Sequence, residues 1–427
     1  MTHLIYRLVG LFIDVKEEEA RALFFSWCYF FTLMVGYYIL RPVRDELGAA
    51  SGANSLPWLF TGTLAITILL NPIFAWLVTK FSVRRFISIS YRFFLANILI
   101  FFAIFHLLPN NIWVGRVFFV WISVFNLFIV SLFWAFTVDA FHSEQGQRLF
   151  GFIGSGGSLG AVFGSLITAG LVEKFGSQLL LILSCLLLEL AVQCVKRFPK
   201  TDEKSTGNKP LFTENPIGGS ISAGITNIAE SPYLIAICVY MLLFTIGSTF
   251  LYFQQTYIVS QSIADRAMRT AYLAKVDLII NVLTIIIQVV FTGKIVKKLG
   301  ISITLGLLPS LSIIGFAALG LVPTLAVFTC FHVLRRAGNF AVARPMCEVL
   351  FTVVNPEDKY KAKNFIDTGV YRFGDQVGIW FSALLSWAGL SATSVAFTSI
   401  PLALLWLSLA IWLGKQQATL THNQKFS

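Results

Sequence analysis

Charge is scarce in this chain of 427 residues: only 12% are Asp, Glu, Lys or Arg, where soluble domains carry about 25%. Together with 56% hydrophobic residues and a mean hydropathy of +0.77, that scarcity excludes an ordinary soluble globular protein. Closely spaced cysteines are missing too. Cys28, Cys185, Cys194, Cys238, Cys330 and Cys347 fall in apolar stretches without metal or redox spacing, so they read as small buried hydrophobes. No Ser/His/Asp, Cys/His or zinc-type grouping has readable spacing, and His106 and His332 each read as satisfied buried residues. Enzymatic chemistry, a cofactor and a metal site are therefore not expected. The first 21 residues carry Asp14, Glu17, Glu18 and Glu19 and no apolar stretch leading to a cleavage site, so the first span is expected to stay in place.

What the chain does have is long apolar runs, near 22–40, 56–79, 86–108, 112–138, 149–172, 177–195, 232–258, 273–293, 301–321, 324–353, 364–388 and 395–413. A helix crosses a bilayer with about 20 apolar residues, so the runs predict an all-α membrane protein with twelve transmembrane helices. Loops are short except for a polar stretch holding Lys196, Arg197, Lys200, Lys204, Lys209, Pro210 and Pro216. The expected organisation is a segment 1–21, a six-helix bundle 22–195, a central loop 196–231, a second six-helix bundle 232–413 and a tail 414–427.

Basic residues set orientation. Twenty of the 32 Lys and Arg residues fall in the N-terminal segment, the central loop, the tail, the turns around Lys80–Arg85 and Lys294–Lys298, and at Arg148, Lys359, Lys361 and Lys363, against six to eight on the opposite side, which predicts both termini in the cytoplasm of a bacterial inner membrane. The net charge of +11 is mostly this bias, and a nucleic-acid partner is not expected. The halves echo each other: Ile73-Phe-Ala-Trp-Leu-Val-Thr-Lys-Phe-Ser-Val-Arg-Arg85 and Val290-Phe-Thr-Gly-Lys-Ile-Val-Lys-Lys-Leu-Gly300 are both basic turns closing a helix pair. Two six-helix halves, a polar central loop and these turns resemble the major facilitator superfamily, which implies parallel halves around a midplane site. The superfamily's loop signature is degenerate, with Thr79 where its Asp is expected.

Charge within a span costs at least about 2.5 kcal/mol per residue and usually faces a cavity or a partner, so the intramembrane charges are the candidate site. The first span ends in Arg41-Pro-Val-Arg44-Asp45, where i, i+3 and i+4 share a face, Asp45 is placed to pair with Arg41, and Arg44 is placed to contact an anion. The tenth span carries Arg335, Arg336, Arg344 and Glu348. At 100° per residue, Arg336 and Arg344 fall within about 80° of each other while Arg335 and Arg344 lie on opposite faces, so Arg336 and Arg344 are the expected cavity pair; Pro345 loosens the backbone beside them. The eleventh carries Asp367, Tyr371, Gly374, Asp375 and Gly378 as one polar and small stripe, with Arg372 placed to pair with Asp375. Gly156, Gly160 and Gly164 recur every fourth residue, a pattern for close helix packing. Asp139, Asp277, Glu348 and Asp367 are candidate proton-coupling carboxylates.

Several of these stretches resemble the ATP/ADP translocase (nucleotide transporter) family of intracellular bacteria and plastids. Arg44-Asp45 with Ser51-Gly-Ala53 and Leu56-Pro57-Trp58 is similar to that family's Lys-Asp-Thr-Leu segment and its downstream Ser-Gly-Ala. Phe133-Trp134-x-Phe136-x-x-Asp139 resembles its Phe-Trp-x-Phe-Ala-Asn-Glu, Gln147-Arg148-Leu-Phe-Gly151 its Lys-Arg-Phe-Tyr-Pro-Leu-Phe-Gly, and Ile366-Asp367 with Arg372-x-Gly374 its Ile-Asp-Val-Val and Arg-Leu-Gly-Lys-Ser-Gly. The resemblance covers about a third of the chain, in the family's order. It implies transport roles for Arg44 and Asp139. The chain departs from the family at Asp375, where a Lys is expected, and offers Gln254 and Gln255 where the family has an acidic residue.

The expectation is an alternating-access transporter of a small anionic metabolite, with a nucleotide or related phosphorylated compound the leading candidate. The substrate-binding set is Arg41, Arg44, Asp139, Arg336, Arg344, Tyr371, Arg372 and Asp375. The alternatives are a proton-coupled carrier of a carboxylate or siderophore, and a membrane receptor or scaffold without flux.

Overall fold

The computed structural model describes residues 15–80, 83–109, 111–141, 143–199, 231–354 and 366–426. Much of the central loop lies outside them. Among the described residues the chain is all helix: α1 Glu17–Ala50, α2 Leu56–Lys80, α3 Val83–Leu107, α4 Ile112–Ala140, α5 Ser143–Arg197, α6 Pro232–Ser262, α7 Arg266–Ile286, α8 Thr292–Leu321, α9 Leu325–Gly338, α10 Arg344–Leu350, α11 Tyr371–Trp387 and α12 Ala392–Phe426. Eight stretches among the described residues are long and apolar enough to cross a membrane.

Glycines divide two of the helices. Gly176 in α5 has φ 73° and Gly300 in α8 has φ 71°, a left-handed conformation that only glycine adopts without strain. They fall where the sequence pattern separates the fifth from the sixth span and the eighth from the ninth. Three π-turns adjust the rest: Ile287–Phe291 joins α7 to α8, Asn339–Ala343 joins α9 to α10, and Ile366–Val370 leads into α11. The first two are neighbours, tied by the Thr292 hydroxyl, which donates to the Ala341 carbonyl at 2.9 Å.

The helices cluster into two compact units. One takes the described residues up to Ser51, those from Gly62 to the central loop, and Asp265–Leu278; the other takes Gly52–Thr61, those from the central loop to Ala264, and those from Ile279 onward. Within the first unit α1 and α3 both pack on α5: α1 lies against Gly156–Gly164 of its first part and reaches Ser184 of its second, where α3 meets it at Cys185 and Glu189. Within the second, α6 packs on α11 and α8 on α12. Span one on five and three on six thus recur as seven on eleven and nine on twelve, which is the parallel repeat the turns suggest.

The glycines explain the closest of these contacts. A Cβ on Gly156, Gly160 or Gly164 of α5 would stand 2.8, 2.6 and 2.7 Å from the Trp27, Phe31 and Val35 carbonyl oxygens of α1. Gly378 does the same on α11, where a Cβ would meet Ile246 and Thr249 of α6 at 2.9 to 3.1 Å. Lipid supplies no hydrophobic drive between helices, so dispersion at such approaches holds them together. Around the α1–α5 seam, Phe30 stacks on Phe133 at 4.0 Å and the Tyr29 and Tyr91 hydroxyls hydrogen-bond in the core.

Candidate substrate site

Pro42 does not end α1. The helix runs through it to Ala50, because proline removes one backbone bond while neighbouring helices hold the rest. Arg41, Arg44, Asp45 and Glu46 are therefore presented on a helix inside the first unit. At the other end of the site, α7 begins earlier than its apolar run. Asp265 caps it, accepting from the Met268 N–H at 2.8 Å, so Arg266 and Arg269 are helical residues and not loop cations.

The two helix ends meet through charge. The Arg44 Nε and Nη2 both donate to Asp45 Oδ1, at 2.9 and 2.6 Å, and the Arg44 guanidinium lies over the Phe119 ring at 5.3 Å. Arg41 stands 3.6 Å from Asp277 Oδ2 and 3.9 Å from Asp45 Oδ2, above the Tyr38 ring. Asp45 was expected to pair with Arg41; its closer partner is Arg44, because Arg41 is drawn toward Asp277 of α7. Glu46 accepts from Arg266 Nε at 3.1 Å and from Arg269 Nη2 at 3.1 Å. The acids are deeply buried, with Asp45 6%, Glu46 3% and Asp277 4% exposed. A buried carboxylate persists as a charge only when paired, and each of these three is.

The second unit holds its own polar group. Asp375 of α11 accepts from the Thr249 hydroxyl of α6 at 3.3 Å and lies 3.9 Å from Arg372. Tyr371 is half-buried and its ring faces Phe244 at 6.4 Å. Arg335 is 3% exposed and points into the bundle, where Nε donates to Ser312 at 3.1 Å, Nη1 to Ser248 at 3.0 Å and Nη2 to the Phe244 carbonyl at 3.3 Å. Arg336 is half-buried over Phe340, while Arg344 and Glu348 are exposed. The π-turn at Asn339–Ala343 lies between Arg336 and Arg344 and underwinds the helix there, so the 100° step does not carry through from one to the other.

Asp139 and Asp367 sit in described helical segments, but their side chains lie outside the described residues, as does that of Arg148. His106 is exposed, not buried as expected, because it closes α3 at the helix end; His332 is buried and stacks on Phe328. The sequence reading did not place Glu46, Arg266 or Arg269 in the site. The signal for the two arginines was the Asp265 cap three residues before an amide it can reach; Glu46 had none, since its partners are 220 and 223 residues away.

The family model for the Major Facilitator Superfamily matches residues 22–362. Among solved structures, a POT family peptide transporter in an auto-inhibited state is similar at 14% identity, covering 93% of this chain and 97% of that one with a TM-score of 0.62. A bacterial homolog of the human lysosomal transporter Spinster is similar at 11% identity, with 96% and 98% coverage and a TM-score of 0.60, and a mutant of the nucleoside transporter NupG at 12%, with 94% and 98% coverage and 0.56. A sequence search of curated proteins finds no significant match. The all-helical repeat, the membrane-length spans and a family match over most of the chain agree: this chain belongs to the Major Facilitator Superfamily and is a multi-pass membrane transporter, not an enzyme.

Proposed function

We propose that the chain is an alternating-access carrier of a small anionic metabolite, with a nucleotide or related phosphorylated compound as the leading candidate. The observation that carries this reading is the α1 cluster, where Arg41 and Arg44 stand side by side on one helix with Asp45 and Asp277 against them. Guanidinium groups offer planar pairs of donors that match carboxylate and phosphate oxygens. Arg336, Arg344 and Arg372, the last 3.9 Å from Asp375, are the further cationic groups proposed in the second unit, with Tyr371 and Asp375; Asp139 is the further residue proposed in the first. The nucleoside substrate named for one similar structure is compatible with a nucleotide ligand and no more than that. The resemblance of Arg44-Asp45 to the translocase segment points the same way.

A thermal-shift screen of the purified protein tests the reading, because a ligand that binds only the folded state raises its apparent stability. Nucleotides, phosphorylated metabolites, carboxylates and siderophores form the panel, with cationic and neutral solutes as comparators. Stabilisation by a phosphorylated compound supports the leading candidate; stabilisation by a carboxylate or siderophore favours the alternative of a proton-coupled carrier, in which Asp139, Glu348 or Asp277, the last engaged with Arg41, is the coupling carboxylate.

A further inference from the structure

Resting on that anionic reading, we infer that Arg41 is the residue that grips the substrate's oxyanion, and that Asp277 is the internal carboxylate which the substrate displaces. The two arginines of α1 are not equivalent. Arg44 has its fork filled, with Nε and Nη2 both hydrogen-bonded to Asp45. Arg41 has charge around it but not hydrogen bonds. Its Nε is buried with no hydrogen-bond partner, and its two acids stand at 3.6 and 3.9 Å, beyond the 2.7–3.2 Å of an N–H···O bond. A guanidinium on a side chain 15% exposed, whose buried Nε attracts carboxylates without bonding them, has a donor waiting for an acceptor.

An oxyanion with two coplanar oxygens, whether on a carboxylate or a phosphoryl group, satisfies that fork bidentately. To reach it the ligand takes the place of Asp277, whose hold on Arg41 is Coulombic only. The rest of the α1–α7 contact is tighter: Glu46 accepts hydrogen bonds from Arg266 and Arg269 near the start of α7. Asp277 lies eight residues beyond Arg269, roughly 12 Å further along the helix axis, and one residue before Leu278, where the stretch of α7 clustered with the first unit ends. Ligand binding thus releases the weak contact at the far end of that stretch while the strong one persists. Asp277 sets affinity by competition and ties occupancy of Arg41 to release of α7, which makes it a positioning residue and Arg41 a binding residue.

The test uses the full chain, purified and also reconstituted, with ATP, inorganic phosphate and succinate as probes. ATP and phosphate report the phosphoryl source and succinate the carboxylate source. For whichever probe the wild type binds, Asp277→Asn removes the competitor and should tighten binding about tenfold while slowing uptake, so that KM and kcat fall together. Asp277→Glu lengthens the carboxylate toward hydrogen-bonding distance of Arg41 and should weaken binding about tenfold. It also keeps the charge, so it reports even where Asp277→Asn fails to fold. Arg41→Lys should lose more than about tenfold, and more than Arg44→Lys. Unchanged or weaker binding by a folded Asp277→Asn, no loss with Asp277→Glu, or a larger loss at Arg44→Lys than at Arg41→Lys overturns the inference. A wild type that binds none of the three probes but binds a cationic or neutral solute overturns the anionic reading beneath it, and the two failures are told apart by that wild-type measurement.

Discussion

Glu46 and Arg269, separated by 223 residues, meet at 3.1 Å with Glu46 only 3% exposed. Removing one member of a buried pair leaves the other charge uncompensated, at a cost of about 3–5 kcal/mol. Glu46→Gln should therefore lower the unfolding temperature sharply, and Glu46→Gln with Arg269→Gln should recover part of the loss. Arg266, whose side chain is 43% exposed, should matter less, with Arg266→Gln costing under about 1 kcal/mol. Thermal unfolding of the four proteins in one detergent measures this.

The glycine seam between α5 and α1 predicts a contrast along one helix. Gly160→Leu places a side chain where even a Cβ stands 2.6 Å from the Phe31 carbonyl oxygen, and it should prevent a monodisperse protein from forming. Gly154 has nothing within 4 Å of its would-be Cβ. Gly154→Ala should be neutral or stabilise by up to about 1 kcal/mol, since alanine is the better helix former. Size-exclusion profiles and melting temperatures decide between these outcomes.

Arg335 illustrates a charge used for architecture. Three hydrogen bonds and the Phe244 and Trp406 rings at 5.5 and 5.9 Å enclose it. Arg335→Gln should destabilise by about 3 kcal/mol, while the folded fraction keeps the wild-type KM. A raised KM without loss of stability would place Arg335 at the substrate instead.

Orientation is a prediction from Lys and Arg alone. Reporter fusions after Gly207 and after Lys425 should both read cytoplasmic, with an external reading at either position contradicting the assignment.

The helices were legible because apolar runs of membrane length leave little choice of structure, and the breaks at Gly176 and Gly300 were legible as gaps between runs. The π-turns were not, since underwinding by one residue answers to neighbouring helices and carries no composition of its own. In the site, the sequence showed which residues were charged and which shared a helical face. It did not show the partners: Arg41 turns to Asp277 of α7, 236 positions on in the numbering, and the first span, which the sequence pattern ends at Arg41-Pro-Val-Arg44-Asp45, continues as helix to Ala50. Helical phase set Arg335 apart from Arg336, but only tertiary packing shows that Ser248, Ser312 and Phe244 receive Arg335.

On the proposed reading, this transporter carries an anion through the α1 arginines. Uptake of labelled ATP, phosphate and succinate into proteoliposomes, wild type beside Arg41→Gln at matched protein density, tests it most directly. The wild type should take up at least one of these, competed by other anions and not by cations, and Arg41→Gln should lose that uptake. Uptake of that anion at the full rate by Arg41→Gln, or wild-type flux confined to neutral or cationic solutes, would contradict it.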